Sequence, residues 1–332
     1  MMGRLLSRDL PARVGTQVCV QGWMHALRRM GGVSFLLLRD RTGVTQAVLE
    51  DPEALEGLLP ETVLTLHGTV TPEPRARSGV ELRDVSVIVV SPVREPLPFE
   101  INKGALRANL DTYLDHAPVG LRHPHKQAAL RLMSGIVGAY ADWMRAHGFT
   151  QITTPKIVGS ATEGGANVFA VEYFDRRAYL AQSPQLYKQV MVGVLERVFE
   201  IGHAYRAEPH YTTRHLNEFL SLDMEMGFIQ DHTDVMHVLT EVLGHVLGVL
   251  EQDHQPDLAS LGVVLPRMSD VPVVDFEEAQ DMLATLYGEE PNADDLSPSQ
   301  ERALCRWAEA QGSEWVFVTG YPTSHRPFYT LP

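Results

Sequence analysis

Tyr205-Arg206-Ala207-Glu208, followed after a short gap by Arg214-His215-Leu216-Asn217-Glu218-Phe219 and then Leu222-Asp223-Met224-Glu225, is the stretch that decides how the chain folds. Arg197–Tyr205 and Glu218–Gly227 each read as a strand, so the polar segment between them is the loop of a hairpin. Side chains alternate along a strand, which puts Arg206 and Glu208 on one face. The first is a cation suited to a phosphate oxygen. The second is an anion that can accept from an exocyclic amine. Arg214, His215 and Phe219 lie across the loop, where an arginine and a histidine suit phosphates and an aromatic ring suits stacking on a base. The plain alternative is a surface hairpin laced with ion pairs.

Outward from this hairpin, Lys126 to His147 reads as a helix. Leu130, Met133, Val137, Tyr140 and Met144 recur at three- and four-residue steps, and Gly148 stands where a C-terminal cap belongs. Further strands fit Gln151–Thr154 and Arg177–Ala181. A second helix spans 232–252 with Val235, Val238, Leu239, Val242, Val246 and Leu250 on one face, and Asp275 with Glu278 fits the capping box of a third. Helices alternate with strands less regularly than in a doubly wound fold. Residues 125–332 are therefore read as an α+β domain with an antiparallel sheet. Upstream, strands fit Val18–Met24, Ser34–Asp40, Val44–Leu49, Val63–Val70 and Val80–Val90, with Gly31-Gly32 and Gly43 at turns. They predict a small β-barrel over 1–98. The Pro-rich stretch Pro92 to Pro98 closes it, and 99–124 reads as a hinge.

The 332 residues are 44% hydrophobic and 21% charged, an ordinary globular composition with room for two domains. The net charge of −14 is unevenly spread: residues 1–110 hold 13 basic and 12 acidic side chains, leaving 15 and 30 for the remainder. A nearly neutral N-terminal part permits a polyanion there. No apolar run of membrane-spanning length and no apolar leader at Met1–Arg8 is expected. Cys19 and Cys305 have neither disulfide nor zinc spacing and read as buried thiols in a reducing, cytoplasmic setting.

The hairpin resembles motif 2 of class II aminoacyl-tRNA synthetases: arginine-x-glutamate, a loop, arginine-histidine, then glutamate-phenylalanine and an acidic strand. Gly148-Phe149-Thr150-Gln151-Ile152-Thr153-Thr154-Pro155 resembles motif 1, whose proline, here Pro155, lies at the family's homodimer interface. Gln182-Ser183-Pro184-Gln185-Leu186-Tyr187-Lys188-Gln189 resembles the segment with which the aspartate subgroup holds its amino acid. The resemblance implies activation of L-aspartate by ATP, with Mg2+, and its transfer to tRNA-Asp. It makes Arg206 the catalytic cation at the α-phosphate and substrate carboxylate. It puts Ala207, Glu208, Arg214, His215, Leu216 and Phe219 around ATP, with Glu208 on the adenine amine, Phe219 stacked on the ring, and Arg214 and His215 on the distal phosphates. Gln185, Leu186, Tyr187, Lys188 and Arg206 would surround the aspartate, and Glu163, in a Glu163-Gly164-Gly165 loop, or Asp223 would take its ammonium. Lys188 suits a side-chain carboxylate, since asparagine would leave the buried charge unmatched at a cost of several kcal/mol.

Gly22-Trp23-Met24-His25, Gly31-Gly32, Phe35, Arg39-Asp40 and Gln46 resemble the OB-fold anticodon-binding domain of aspartyl and asparaginyl enzymes. Phe35 would stack on a base, a contact worth roughly 1–3 kcal/mol, and Gln46 would read a base edge. His25 stands where relatives that also charge tRNA-Asn carry histidine. Arg77 stands where those relatives carry proline, which points the other way. Phe317-Val318-Thr319 through Arg326-Pro327-Phe328-Tyr329 resembles the stretch before the last part of the catalytic domain. The acidic metal ligands, the arginine for the substrate side chain and motif 3 are then expected beyond Pro332. Two other readings stay open: an asparaginyl-tRNA synthetase or asparagine synthetase relative, and a non-catalytic tRNA-binding protein.

Overall fold

The structure, a computed structural model, describes residues 3–30, 33–50, 55–161, 168–209, 216–268, 270–326 and 329–330. The chain divides into two compact units, Met1–Gln127 and Ala128–Pro332. Residues 99–124, read from sequence as a separate hinge, thus fall within the first unit, where they form two short helices, α1 (Leu110–Asp115) and α2 (Ala117–Gly120).

Six strands build the first unit: β1 (Arg4–Leu5), β2 (Gln17–Met30), β3 (Val33–Arg39), β4 (Val44–Leu49), β5 (Val63–Pro72) and β6 (Val80–Ser91). Their order is β1-β2-β3-β4-β6-β5, and β5 pairs back onto β2, so the sheet closes and its long strands have no free edge. Alternation turns Leu36, Leu38, Ala47 and Leu49 inward to meet Val18, Val20, Met24, Leu64, Leu66 and Leu82. The first predicted strand extends to Met30 because β2 serves two neighbours. Gln17–Trp23 pairs with β5, and Trp23–Met30 with β3. Between these halves the register slips from Met24 to Ala26, a bulge centred on His25. Gly22 lies at the bend, where a Cβ would stand 2.2 Å from the Arg39 carbonyl oxygen. Asp40 closes the β3–β4 turn by accepting from the N–H of Thr42 and of Ser7. Burial alone would raise its pKa, but these bonds hold it below the ordinary value.

In the second unit the central sheet is β7 (Thr150–Gln151), β11 (Arg197–Tyr205) and β12 (Glu218–Met226), ordered β12-β11-β7. β11 and β12 are antiparallel as predicted, but β7 joins β11 in parallel, so the sheet is mixed. A second sheet, wholly antiparallel, contains β8 (Ile157–Val158), β9 (Ala170–Tyr173) and β10 (Arg176–Leu180). One face of β11–β12 carries Phe199, Ile201, Leu222, Met224 and Met226. It packs on Tyr140, Trp143 and Met144 of α3 (Pro124–Ala146) and on Val238, Val242, Val246 and Leu250 of α5 (His232–Asp253). The other face is covered in part by α4 (Gln185–Leu195). The remainder is α6 (Gln255–Leu261), β13 (Val273–Asp275), α7 (Phe276–Tyr287), α8 (Pro298–Ala310) and β14 (Phe317–Thr319), with β13 parallel to β14.

Several expectations are corrected. α5 is itself long and apolar enough to cross a membrane, though it lies against the core through every fourth residue from Val238 to Leu250. On α3, Leu130 and Met133 are 45% and 53% exposed, because the core takes only the C-terminal half of the apolar stripe. Leu239 is likewise exposed. Asp275 caps α7 by accepting from Glu277 N–H at 3.0 Å, and the reciprocal box is formed instead by Ser297 and Gln300 on α8. Cys19 is buried but Cys305 is exposed, since α8 buries Gln300, Ala303, Leu304 and Ala308 and turns Cys305 off that face. Replacing Gly22 by alanine is expected to cost about 2 kcal/mol or more, because backbone must move to admit the methyl group. Urea unfolding followed by tryptophan fluorescence checks this, with Gly3→Ala, which meets open space, as the unaffected control.

Candidate amino-acid and nucleotide site

The face of β11–β12 opposite the core is mostly polar on β12 and carries small residues toward one end of β11. Phe219, Ser221, Asp223 and Glu225 stand in a row on β12, each paired in turn with Ala204, Gly202, Glu200 and Val198 of β11. Gly202 and Ala204 put little side chain beside Phe219, and Lys156 fills the space over Gly202, its Nζ 3.0 Å from where a Cβ would stand. At that end the Arg206 guanidinium lies over the Phe219 ring, 5.6 Å from its centroid. Arg206 N–H still bonds Asn217 O at 3.0 Å, but β11 ends at Tyr205. Arg206-Ala207-Glu208 therefore leads out of the strand, as Pro209 has no N–H with which to continue the ladder.

At the other end sits Lys188. It is the one buried residue of α4, at 5% exposure. Its Nζ lies 3.1 Å from Asp223 Oδ1, 3.2 Å from Met224 O and 3.4 Å from Glu225 Oε2. Gln185, one helical turn away, donates to Glu225 Oε2 at 3.2 Å. Gln185 and Lys188 thus share the face turned to β12. Leu186 and Tyr187, expected beside the substrate, point away and are 39% and 40% exposed. The (i, i+3) step that joins Gln185 to Lys188 sends the two residues between them to the far side. Tyr140 comes close from below: burial, and then the charge of Asp223, push its phenol well above the ordinary value.

The sequence reading missed Glu200 and Lys156. Glu200 is 2% exposed and accepts from Thr154 N–H and Thr154 Oγ1 at 2.8 Å each, with Lys156 Nζ at 3.1 Å. It ties the segment beside Pro155, itself exposed, to the hairpin. Its one signal in the sequence was even spacing from Arg206, just past the end of its strand. Leu216 is 64% exposed. Glu163, Gly164, Gly165, Arg214 and His215 lie outside the described residues, as do Gly31 and Gly32.

In the first unit, His25, Phe35 and Gln46 share the barrel's outer face across β2, β3 and β4. Their inward neighbours Met24, Leu36 and Ala47 fill the core. Phe35 is half-buried, and Leu37 beside it pairs with Gln46. Gln46 Nε2 donates to Glu81 at 2.8 Å, and Arg83 holds the same carboxylate. Arg77 is exposed in the β5–β6 turn. Burial, then the charge of Arg39, holds the His25 pKa below its ordinary value of 6.5.

Residues 109–332 match the family described as tRNA synthetases class II (D, K and N), and residues 18–90 the OB-fold nucleic acid binding domain. The chain belongs to the class II aminoacyl-tRNA synthetases. Among its class II relatives, the aspartate--tRNA(Asp/Asn) ligase of Deinococcus radiodurans is 44% identical over 331 residues, covering 99% of this chain and 75% of that enzyme. The aspartate--tRNA(Asp) ligase of Pyrococcus abyssi is 36% identical over 327 residues, covering 96% and 74%. Among solved structures, the asparaginyl-tRNA synthetase of Pyrococcus horikoshii with asparaginyl-adenylate superposes with a TM-score of 0.89 at 28% identity, covering 100% of this chain and 77% of that one. A putative aspartyl-tRNA synthetase from Leishmania major gives 0.88 at 25% identity, covering 99% and 76%.

Two outcomes follow for this class II fold. Glu200→Ala strips the acceptor from Thr154 and Lys156 and is expected to destabilise the second unit by about 2–3 kcal/mol, read by chemical denaturation. Because His25 is held neutral, its stabilising contribution is complete above pH 6.5 and is lost as pH falls through its lower folded value. Thermal melts of wild type against His25→Gln between neutral and mildly acidic pH should show a steeper acid decline in the wild type.

Proposed function

We propose that the protein joins L-aspartate to tRNA-Asp, and with relaxed specificity to tRNA-Asn, in two steps. The aspartate α-carboxylate attacks the α-phosphorus of ATP. An O–P bond forms as the bond to the distal phosphates breaks, giving aspartyl-adenylate and pyrophosphate. A terminal ribose hydroxyl of the tRNA then takes the aspartyl group, and AMP leaves. No side chain acts as nucleophile, so the protein contributes placement and charge.

The observation that carries this reading is Lys188, buried at one end of the face that holds Phe219 and Arg206 at the other. Two of its three N–H groups go to Asp223 and Met224 O, while the third meets Glu225 at the longer 3.4 Å. That third donor is the one free to turn to a substrate carboxylate, with Asp223 and Glu163 left for the ammonium. Adenine stacks on Phe219 with Glu208 on its amine. Arg206 takes the α-phosphate, and Arg214 and His215 the distal ones, beside Ala207 and Leu216. Among the described residues no group of three His, Cys, Asp or Glu side chains gathers to hold a metal ion. No step here runs through Mg2+.

Phe35 and Gln46 are the proposed anticodon readers, and His25 with Arg77 sets tRNA choice. The His25 identity supports relaxed use, as does likeness to enzymes named for both tRNAs. Homodimerisation through the Pro155 segment is supported by the exposed Leu130 and Met133 on α3. A cytoplasmic setting fits a translation enzyme.

ATP–pyrophosphate exchange tests the assignment. Aspartate is expected to outrun asparagine by roughly a hundredfold, and Lys188→Met to lower the aspartate rate by a similar factor. Exchange supported equally by asparagine would remove the aspartate reading, and failure to charge tRNA-Asn transcript would remove relaxed use.

A further inference from the structure

The barrel's outer face holds a buried chain of charges behind His25. Glu61, fully covered, accepts from both terminal nitrogens of Arg39 at 2.7 Å each. Arg122 Nη1 adds a third bond to the same carboxylate at 3.0 Å. The guanidinium carbons of Arg39 and Arg122 lie 5.6 and 5.5 Å from the centroid of the Trp23 ring. Arg39 is thus held by a fork of two bonds and by an aromatic face, and has no freedom to swing.

Arg39 Nη1 also lies 3.3 Å from His25 Nδ1. A guanidinium has donors and no acceptor. The imidazole nitrogen that faces it must therefore be bare, and the ring proton sits on Nε2. The backbone of His25 is pinned as well: Asn102 Nδ2 donates to its carbonyl at 3.1 Å, and the β2 bulge sets its direction. Nε2 makes no hydrogen bond to a described residue, so the donor is available to a ligand.

The chemistry of the two tRNAs then bears on this donor. Codons for aspartate and asparagine differ in their first base, G or A, so the anticodons differ in their third, C or U. On the Watson–Crick edge cytosine offers acceptors at N3 and O2, and uracil at O4 and O2. A group that can only donate meets an acceptor on either base. A ring free to change tautomer could also accept, and so could select the cytosine amine or the uracil imino group.

We propose that Arg39 and Glu61 are positioning residues for tRNA choice: they hold His25 as a fixed Nε2–H donor, and that donor tolerates either pyrimidine at the third anticodon base. This rests on the relaxed tRNA use proposed above.

Two measurements on the full chain test it. Nitrogen-15 NMR of the histidine rings, with His25 assigned by its loss in His25→Gln, reads the tautomer directly. Near neutral pH the expected result is a protonated Nε2 and a bare Nδ1 for His25. Binding is then compared for two anticodon stem-loops that differ only in C or U at the third base. Wild type should bind them within about threefold, and Arg39→Gln, whose amide can accept as well as donate, or Glu61→Gln should open a gap of about fivefold or more as the ring is released. A protonated or averaging Nδ1 with equal loop binding overturns the inference and leaves relaxed use standing. A bare Nδ1 with loops that differ by more than about tenfold overturns relaxed use itself, and with it the consequence drawn for His25. Variants that free the tautomer but keep the loops equal overturn the role of Arg39 and Glu61.

Discussion

A one-residue slip between β11 and β12 would exchange every side chain on the hairpin's two faces, and almost everything in the second unit depends on that slip not occurring. β12 must serve two environments with a period of two. Leu222, Met224 and Met226 go into the apolar core against α3 and α5, while Phe219, Ser221, Asp223 and Glu225 face the open side. The hydrophobic side supplies most of the driving force. The polar side supplies the lock, because Lys188 can meet Asp223 and Met224 O only in this register. Binding chemistry and core packing are thus fixed by one alignment.

Both units bury a carboxylate at the place where chain segments distant in sequence meet. In the first, Glu61 gathers Arg39 and Arg122. In the second, Glu200 gathers Thr154 and Lys156. Removing such a charge from water is costly, and a buried pair often stabilises less than an apolar replacement would. What these carboxylates provide is direction. Glu61 orients a guanidinium behind the outer face of the barrel, and Glu200 orients the Pro155 segment against the floor of the site. A hydrophobic replacement could fill either space without selecting an orientation.

Much of this is legible in the sequence itself. The turn at Arg41-Thr42-Gly43 started β4 at the right residue, a strand-like run gave β11 its bounds, and the three- and four-residue repeat found α3 and α5. The readings that failed share a physical cause. Periodicity describes which residues are apolar, not which of them find a partner, so Leu130, Met133 and Leu239 were assigned to a face that the core only partly uses. The bulge at His25 leaves no mark in an alternating pattern. Glu200 was overlooked because a carboxylate in a strand looks the same whether it faces water or closes a buried network. Leu186 and Tyr187 adjoin Lys188 in sequence, but the helix turns them off the face that Gln185 and Lys188 present to β12.

The two carboxylates beside Lys188 also bear on how a ligand arrives. The cluster of Lys188, Asp223 and Glu225 carries a net negative charge before anything enters, within a chain whose formal charge is −14. A dicarboxylate or a nucleotide is therefore not drawn in from afar; the long-range field opposes it, and attraction begins only once a specific donor comes within reach. Ionic strength should consequently act in the sense opposite to steered association: by screening the repulsion, moderate salt quickens the encounter instead of slowing it.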